Sequence, residues 1–447
     1  MRWLLLLLIG VLAATDIFSL DLSLAPGLSV KNAVLYMVIM ALFFRTVLSG
    51  AMKIDLPSIY GLFTLWIGYA IATILVAGLL IQYPGYHLVS AAISLKSFLI
   101  DPALFCLVAI WGLRDERDVT LIVKGIVGAV AIANVFTLLD VAGIVHLNIY
   151  IGDSGVQEGR VFGVFGHAND TGTFIACMLP PMIAVMLGAR GAARPLWIGG
   201  ILATLAVLIL TVSRGAFAAV GIGTLLAGYI CRRYISLSRL VPWLLVAALA
   251  AVLVFAVTSA IDPYIRGIIA ERVLGQSQAA SVEEISSGRT GLWVRIVLVM
   301  MDRPISLITG FGWDVYNVMA FPLATHNYYL DAWFNLGLVG VAMFLLIMRR
   351  TISDALQAAA FASPALAPLF PACVFGLVIL MVGICFANLF KPWPYIWMYV
   401  GTMLRAALIV REQRVAVPSV PSVPSVPSTA PVRIGARART GTALAQR

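Results

Sequence analysis

The sequence predicts an all-α polytopic membrane protein with about twelve transmembrane helices and one large loop between helices 9 and 10. Of its 447 residues, 62% are hydrophobic and only 11% are charged, whereas a soluble domain contains about 25% charged residues. Apolar runs long enough to cross a bilayer follow one another along most of the chain. Mixed and polar residues interrupt these runs at 261–326. A segment of that length outside the bilayer usually forms a substructure of its own.

The apolar runs divide the chain into membrane spans. The predicted spans are 3–20, 28–48, 57–81, 89–111, 119–142, 165–188, 196–212, 215–231, 240–260, 327–348, 365–389 and 393–410. The division between the seventh and eighth spans rests on the sequence Ser213-Arg214-Gly215. The first run has the composition of a signal peptide, but no clean cleavage site follows it, so we expect a retained helix.

Basic residues alternate between the two sides of this arrangement and predict its orientation. The chain has a net charge of +10, and its basic residues concentrate in every second connection and in the C-terminal tail. Cytoplasmic loops of membrane proteins carry this excess. We therefore expect the N-terminus and the tail in the cytoplasm. The loop 261–326 is then on the outer side, which in a bacterium is the periplasmic face of the inner membrane.

The sequence divides into a transmembrane domain over 1–410 and a tail over 411–447. Residues 417–428 repeat Val-Pro-Ser four times, and small residues and arginines follow. Such a segment cannot bury a core, so we expect it to be disordered. Its arginines indicate contact with a lipid surface rather than with nucleic acid.

Two arginines are candidate ligands of an anion. Arg214 interrupts the sequence LTVSRGAFAAV on the predicted outer side, against the charge bias. Arg289 lies in SSGRTGLW, after a glycine and one helical turn before Trp293. A guanidinium stays charged and offers paired N–H groups to a phosphate. The alternatives are an arginine that reaches water at a tight turn for Arg214, and a solvated loop arginine stacked on Trp293 for Arg289.

His326 ends the long loop and is a candidate general base. Asn327 and two tyrosines follow it at the start of the tenth predicted span. Asn327 and Trp293 are further, weaker candidates for binding the donor or substrate. An imidazole titrates near neutral pH and can take a proton from a hydroxyl group. The alternative is an interfacial histidine within an aromatic belt. Arginine and histidine together at a membrane surface suit a phosphorylated, lipid-borne substrate.

A glycine-rich segment, GRVFGVFGHAND, leads into the sixth predicted span. Arg160 and His167 are candidates for binding the phosphate or sugar of a donor, and Asn169 for a hydrogen bond within the bundle. The alternative is a glycine-rich helix start with an Asn-Asp cap. Lys96 and Asp101 lie well inside the fourth span, and we expect them to neutralise each other.

The composition and motifs exclude several classes of site. Five cysteines are scattered in or beside the apolar runs, which indicates neither a disulfide framework nor a zinc site. No Asp-x-Asp metal motif, phosphate-binding Walker loop or nucleophile elbow occurs. We therefore expect no metal and no cofactor.

The motifs SRG, SGRTGLW, GFGWDVYN and THNYYLDAWFNLGLVG resemble, in this order, those of the O-antigen ligase family of bacterial envelope proteins. The resemblance covers roughly residues 159–345, and the layout of spans extends it to about 410. It implies transfer of a glycan from undecaprenyl diphosphate at the periplasmic face, without a metal or a nucleotide sugar. It also implies functional roles for Arg214, Arg289 and His326, and less directly for Arg160 and Asn169. The sequence GHAND departs from the family's more usual proline-asparagine form.

This resemblance leaves the exact activity open. The acceptor is lipid A-core in a ligase, or a growing glycan in an O-antigen or exopolysaccharide polymerase. Attack opposite the diphosphate predicts inversion at the anomeric carbon. A transporter of lipid-linked glycans is an alternative of another class, suggested by Lys96 and Asp101. A third is a metal-dependent transferase that uses Asp16 or Asp21.

Overall fold

The computed structural model describes residues 1–20, 23–49, 59–147, 160–234, 289–319, 321, 324–389 and 392–416. These residues are almost entirely helical, with one short hairpin formed by Ser23–Ala25 and Leu28–Ser29. The helices are α1 (Arg2–Ile17), α2 (Val30–Leu48), α3 (Ile59–Leu75, continued by a π-helical turn Val76–Ile81), α4 (Leu88–Leu95, followed by a π-helical turn Lys96–Ile100), α5 (Asp101–Gly112), α6 (Glu116–Val141), α7 (Ala168–Gly188), α8 (Ala193–Leu210), α9 (Arg214–Ile230), α10 (Arg289–Met301), α11 (Ile305–Thr309), α12 (Tyr328–Ala359), α13 (Leu369–Gly383) and α14 (Trp393–Ala416).

The all-α membrane architecture is confirmed. A helix lies at every predicted span except 240–260, which falls outside the described residues. Among the described helices, 7 are long and apolar enough to cross a bilayer, and α9 and α13 are shorter apolar helices. The number of twelve spans stays a prediction.

The long loop predicted over 261–326 is partly helical. Its first part lies outside the described residues, and its second part forms α10, α11 and a 3₁₀ turn at Val315–Val318. Apolar side chains of this part form a cluster of their own with the start of α12 and the π-helical end of α3. The cluster contains Ala77, Leu292, Ile296, Met300, Phe311, Val315, Tyr316, Leu330 and Phe334. The loop therefore packs against the bundle as a small substructure.

The bundle is built by close packing between helices. In α14, a Cβ added at Gly401 would lie 2.3 Å from the carbonyl oxygen of Cys106 in α5. In α13, a Cβ at Gly376 would lie 2.6 Å from the carbonyl oxygen of Cys177 in α7. Small residues allow this approach, and packing of this kind drives helix association in lipid. Helices α13 and α14 thus hold the earlier helices together.

The predicted pair Lys96–Asp101 is confirmed. The Lys96 ammonium lies 2.8 Å from the Asp101 carboxylate across the π-helical turn. The Tyr36 hydroxyl donates a second hydrogen bond to Asp101 over 2.7 Å. The charges therefore satisfy each other inside the bundle, as a buried ion pair must.

The last helix continues past residue 410, the predicted end of the transmembrane domain. Arg411 forms an ion pair of 2.6 Å with Asp354 of α12, and Arg405 one of 2.7 Å with Glu412. The first pair holds the extra turns of α14 to α12, whereas the second joins two residues of α14 itself. The Val-Pro-Ser repeats lie outside the described residues.

Gly337 kinks α12 and gives a test of this packing. Its φ of 63° is left-handed, and a Cβ there would lie 2.1 Å from the carbonyl oxygen of Ile308. We expect Gly337→Ala to combine backbone strain with overpacking, each costing about 1–3 kcal/mol. Thermal unfolding of the purified protein in detergent measures the loss.

The matched control is Gly68→Ala in α3, where no atom lies within 4 Å of the added Cβ. Alanine is the better helix former by about 1 kcal/mol, so the control should be neutral or stabilising. Equal melting temperatures for the two variants would contradict this account of the kink.

Candidate functional site

The segment that begins at Arg160 is fastened to the turn between α8 and α9. Arg160 is buried, its Nε donates to the Thr211 carbonyl over 3.0 Å, and its Nη2 donates to Asn169 Oδ1 over 3.1 Å. The Val161 amide donates to the Leu210 carbonyl over 3.1 Å. Asn169 therefore forms a hydrogen bond within the bundle, as predicted, and Arg160 is its partner. These bonds hold the start of α7 against the end of α8.

Ser213 ties the same turn to α7 and starts α9. Its hydroxyl donates to Asn169 Oδ1 over 2.9 Å and accepts the Ala216 amide of α9 over 3.2 Å. Arg214 follows as the first residue of α9, with an exposed side chain. The helix dipole puts partial positive charge at this end, which is unfavourable for an arginine and favourable for an anion beside it. Arg214 can therefore both lie at a tight turn, where it reaches water, and serve as a ligand of an anion.

The two histidines of the predicted site lie side by side. The His167 and His326 rings are 5.5 Å apart between centroids, and Phe162 stacks on His167 at 5.6 Å. His167 caps α7, where its Nδ1 accepts the Asn169 amide over 3.3 Å. That hydrogen bond requires an unprotonated Nδ1, so it fixes a neutral tautomer with the proton on Nε2.

His326 occupies a strained backbone position held by its neighbours. Its φ of 48° is left-handed, which is uncommon for a residue other than glycine. The Thr325 carbonyl accepts the Trp293 indole N–H over 2.8 Å. Asn327 caps α12 through its Oδ1, which accepts the Leu330 amide over 3.0 Å. Trp293 and Asn327, both predicted to bind substrate, thus hold the backbone on either side of His326.

Arg289 is the first residue of α10 and lies near a buried carboxylate. Burial lowers the pKa of its guanidinium, the carboxylate of Asp170 opposes that shift, and the charge of Arg214 adds to it. Asp170 also accepts hydrogen bonds from the backbone amides of Asn388 and Leu389. Arg214 and Arg289 are therefore close enough to repel each other, and Asp170 offsets part of that repulsion.

Four helices begin at this site, and each brings a predicted residue. They are α7 after His167, α9 at Arg214, α10 at Arg289 and α12 after His326 and Asn327. The contacts above join all four starts. Arg289 lies near the Asp170 carboxylate, Arg214 lies near Arg289, and the positive ends of four helix dipoles meet here, so the site has the positive charge that an anion requires.

Both histidines are neutral at pH 7 in this setting. Burial, followed by the nearby His326, Arg160 and Arg289, lowers the pKa of His167 to about 4. Burial and the charge of Arg289 lower the pKa of His326 to about 4. A neutral imidazole is the form that accepts a proton from a hydroxyl group.

Sequence reasoning missed several residues of the site. Asp170 was visible only as a possible cap, and Ser213 and Thr325 only as neighbours of Arg214 and His326. Asn388 carries no motif and lies beyond the segment that the motifs cover.

The structure weighs against the metal-dependent alternative. Asp16 is buried in α1, paired with Lys31, and accepts the Tyr395 hydroxyl over 2.9 Å. Its carboxylate is therefore committed within the bundle, and Asp21 lies outside the described residues. Among the described residues, no group of three or more His, Cys, Asp and Glu side chains is placed to hold a metal ion.

A comparison with protein families supports the enzyme interpretation. The O-antigen ligase family model matches residues 199–345. This segment, about a third of the chain, is therefore similar to the O-antigen ligase family. The match includes Arg214, Arg289 and His326, and it confirms the family that the motifs indicated. No curated protein matches the chain. An O-antigen ligase family protein is, broadly, a membrane enzyme of glycosyl transfer.

The lowered pKa values of the histidines predict a pH dependence of stability. Between pH 6.5 and about 4 the unfolded chain binds protons at these histidines and the folded chain does not. Unfolding free energy should therefore fall as the pH drops through this range and be fully present above it. We expect the double variant His167→Gln, His326→Gln to lose less stability than the wild type between pH 7 and pH 5.

Melting temperatures in detergent at several pH values measure this difference. His87→Gln is the control, because His87 is exposed and far along the chain from the site. A double variant with the same pH slope as the wild type would show that the histidines are not held neutral.

Proposed function

We propose that the protein transfers a glycan from undecaprenyl diphosphate to an acceptor hydroxyl at the periplasmic face, without a metal and with inversion. The acceptor is lipid A-core or a surface polysaccharide. The convergence of Arg214, Arg289 and His326 on one group of helix starts is the observation that carries this proposal. Residues far apart in the sequence are brought together there, in a setting that suits a diphosphate beside a proton acceptor.

The two arginines act on the leaving group. The acceptor oxygen bonds to the anomeric carbon as the bond from that carbon to the diphosphate oxygen breaks. The departing diphosphate gains negative charge, which Arg214, Arg289 and the first amides of α9 and α10 stabilise. Hydrogen bonds to charged groups contribute about 1.5–3 kcal/mol each, so losing one arginine should cost much activity without unfolding the bundle.

His326 takes the proton that the acceptor hydroxyl releases. With a pKa of about 4 in the free protein, its imidazole is neutral but a weak base. A bound diphosphate offsets the charge of Arg289 and so raises the pKa of His326 toward neutrality. Donor binding therefore converts His326 into a better base, which favours transfer only when the donor is in place.

The remaining predicted residues support this chemistry. Arg160 adds positive charge while its N–H groups hold Thr211 and Asn169. His167 lies beside His326, with 5.5 Å between the ring centroids, where it can contact the bound glycan. The transporter alternative was suggested by charged residues within a span. Lys96 and Asp101 form an ion pair with each other, so they no longer support it.

The first test separates charge from geometry at the arginines. Arg214→Lys and Arg289→Lys keep a charge but lose the paired N–H groups, so each should retain more activity than the matching alanine variant. His326→Ala should reduce transfer sharply and leave donor binding nearly unchanged, since a base acts in the chemical step. Transfer by purified protein in detergent, with a separate donor-binding measurement, gives both quantities.

Arg295→Ala is the matched control, because Arg295 lies on α10 with an exposed side chain over Phe321. It should keep wild-type transfer. A His326→Ala protein that transfers glycan at the wild-type rate would refute the proposed base. Transfer abolished by a chelator would refute metal independence.

The orientation in the membrane has its own test. The arginine asymmetry supports a periplasmic position for the loop 261–326 and a cytoplasmic position for both termini. An alkaline phosphatase fusion at Ser286 should therefore be active, and one after Ala416 inactive. The opposite pattern would move the site to the cytoplasmic face, where the proposed donor orientation fails.

A further inference from the structure

One turn outside the matched family segment contacts the surroundings of all three central residues. Residues 384–389, here called the 384–389 turn, follow α13. At Arg214, the start of α9 packs on this turn so closely that a Cβ at Gly215 would lie 2.5 Å from Phe386 Cβ. At Arg289, the turn acts through Asp170, whose carboxylate accepts the amides of Asn388 and Leu389.

At His326 the turn makes its most direct contacts. The Asn388 amide Nδ2 donates to Thr325 Oγ1 over 3.0 Å, and that hydroxyl lies 3.3 Å from Asn388 Oδ1. The Ile384 carbonyl accepts the Tyr328 amide over 2.9 Å. His326 therefore sits between two residues that the 384–389 turn holds.

Asn388 is buried with Thr325, so both ends of this contact are shielded from water. A buried hydrogen bond that loses one partner leaves the other unsatisfied, which is more costly than the bond's net contribution. His326 and Leu389 both have a φ of 48°. Such strained positions persist only where the surroundings fix them.

We infer that Asn388 is a positioning residue for His326, and that the 384–389 turn sets the relative placement of His326, Arg289 and Arg214. The turn holds Thr325 with the Asn388 side chain while its backbone amides hold Asp170 beside Arg289. The inference rests on the proposed function for its effect on transfer, but its effect on His326 can be measured without transfer.

The first experiment follows His326 itself. The full-length protein in detergent is treated with diethylpyrocarbonate, and the modification of each of its four histidines is measured by peptide mass spectrometry. We expect Asn388→Ala and Thr325→Val to raise the modification rate of His326 about fivefold, the population shift that loss of a typical hydrogen bond produces. Thr325→Ser keeps the hydroxyl and should restore the wild-type rate.

The chain offers a matched control in another buried Asn–Thr pair. Asn134 Nδ2 donates to Thr204 Oγ1 over 3.0 Å between α6 and α8. Asn134→Ala should lower stability as Asn388→Ala does but leave the His326 rate unchanged. His87 should be modified equally in every variant. An unchanged His326 rate in both Asn388→Ala and Thr325→Val would overturn the inference, and so would an equal change in Asn134→Ala.

The second experiment measures transfer with lipid-linked glycan extracted from the strain that encodes the chain. Asn388→Ala should lower kcat about tenfold and leave the donor KM within about twofold, as expected when the chemical step alone is affected. In a His326→Ala background, Asn388→Ala should have no further effect, because it acts through His326. Additive losses, or a loss confined to the donor KM, would overturn the inference. A wild type without transfer would refute the proposed function, while the His326 modification rates would still decide the role of Asn388.

Discussion

The repulsion among neighbouring cations is the constraint on which this site depends. Arg214 and Arg289 are the first residues of helices whose dipoles add further positive charge, and the buried Arg160 lies before the start of α7. One buried carboxylate, Asp170, faces Arg289, and two backbone amides stabilise it. A buried charge without such partners would cost several kcal/mol. The carboxylate offsets only part of the positive charge, and what remains is available to an anionic substrate.

Rigidity is the second requirement, because like charges move apart where the backbone allows it. Three residues at this site adopt left-handed φ angles without being glycine, namely Val212 (46°), His326 (48°) and Leu389 (48°). A β-branched residue such as Val212 is especially uncommon there. Val212 precedes Ser213 and Arg214, His326 is itself a site residue, and Leu389 lies in the 384–389 turn. The side chains of Ser213, His167 and Asn327 cap α9, α7 and α12. The strain is thus concentrated where the charges converge.

Much of this arrangement follows from the sequence, for identifiable reasons. Membrane-length apolar runs predict helices because backbone hydrogen bonds must be satisfied within lipid. Arg214, Arg289 and His326 stand out because ionisable groups beside such runs are costly. The helix α10 was not predicted, since its short amphipathic sequence gains stability only by packing against α3 and α12. The hydrogen bonds of Trp293 to the Thr325 carbonyl and of Asn327 to the Leu330 amide could not be predicted, because no sequence pattern marks them.

Asn388 marks the limit of sequence reasoning most clearly. Its partners are Thr325 and Asp170, which lie 63 and 218 residues earlier (388 − 325 and 388 − 170). An asparagine in a short turn between two apolar helices has many ordinary explanations, such as a local turn bond. Only the packing of α13 on α7 and α9 brings the turn to the site. The 384–389 turn thus contacts the surroundings of the site residues although its sequence contains no recognisable motif.

The charge at the site also determines where catalysis arises. In the proposed reaction the donor's diphosphate is a diester, and after transfer the released diphosphate would carry one more negative charge. If the arginines and helix starts bound the donor and the transition state equally well, they would increase the affinity for the donor but not the rate of transfer. In the proposed reaction the added charge develops on the oxygen that leaves, while His326 gains a proton nearby, so the attraction would grow as the reaction proceeds. The same attraction retains the product, so a protein of this design accelerates the chemical step at the expense of release.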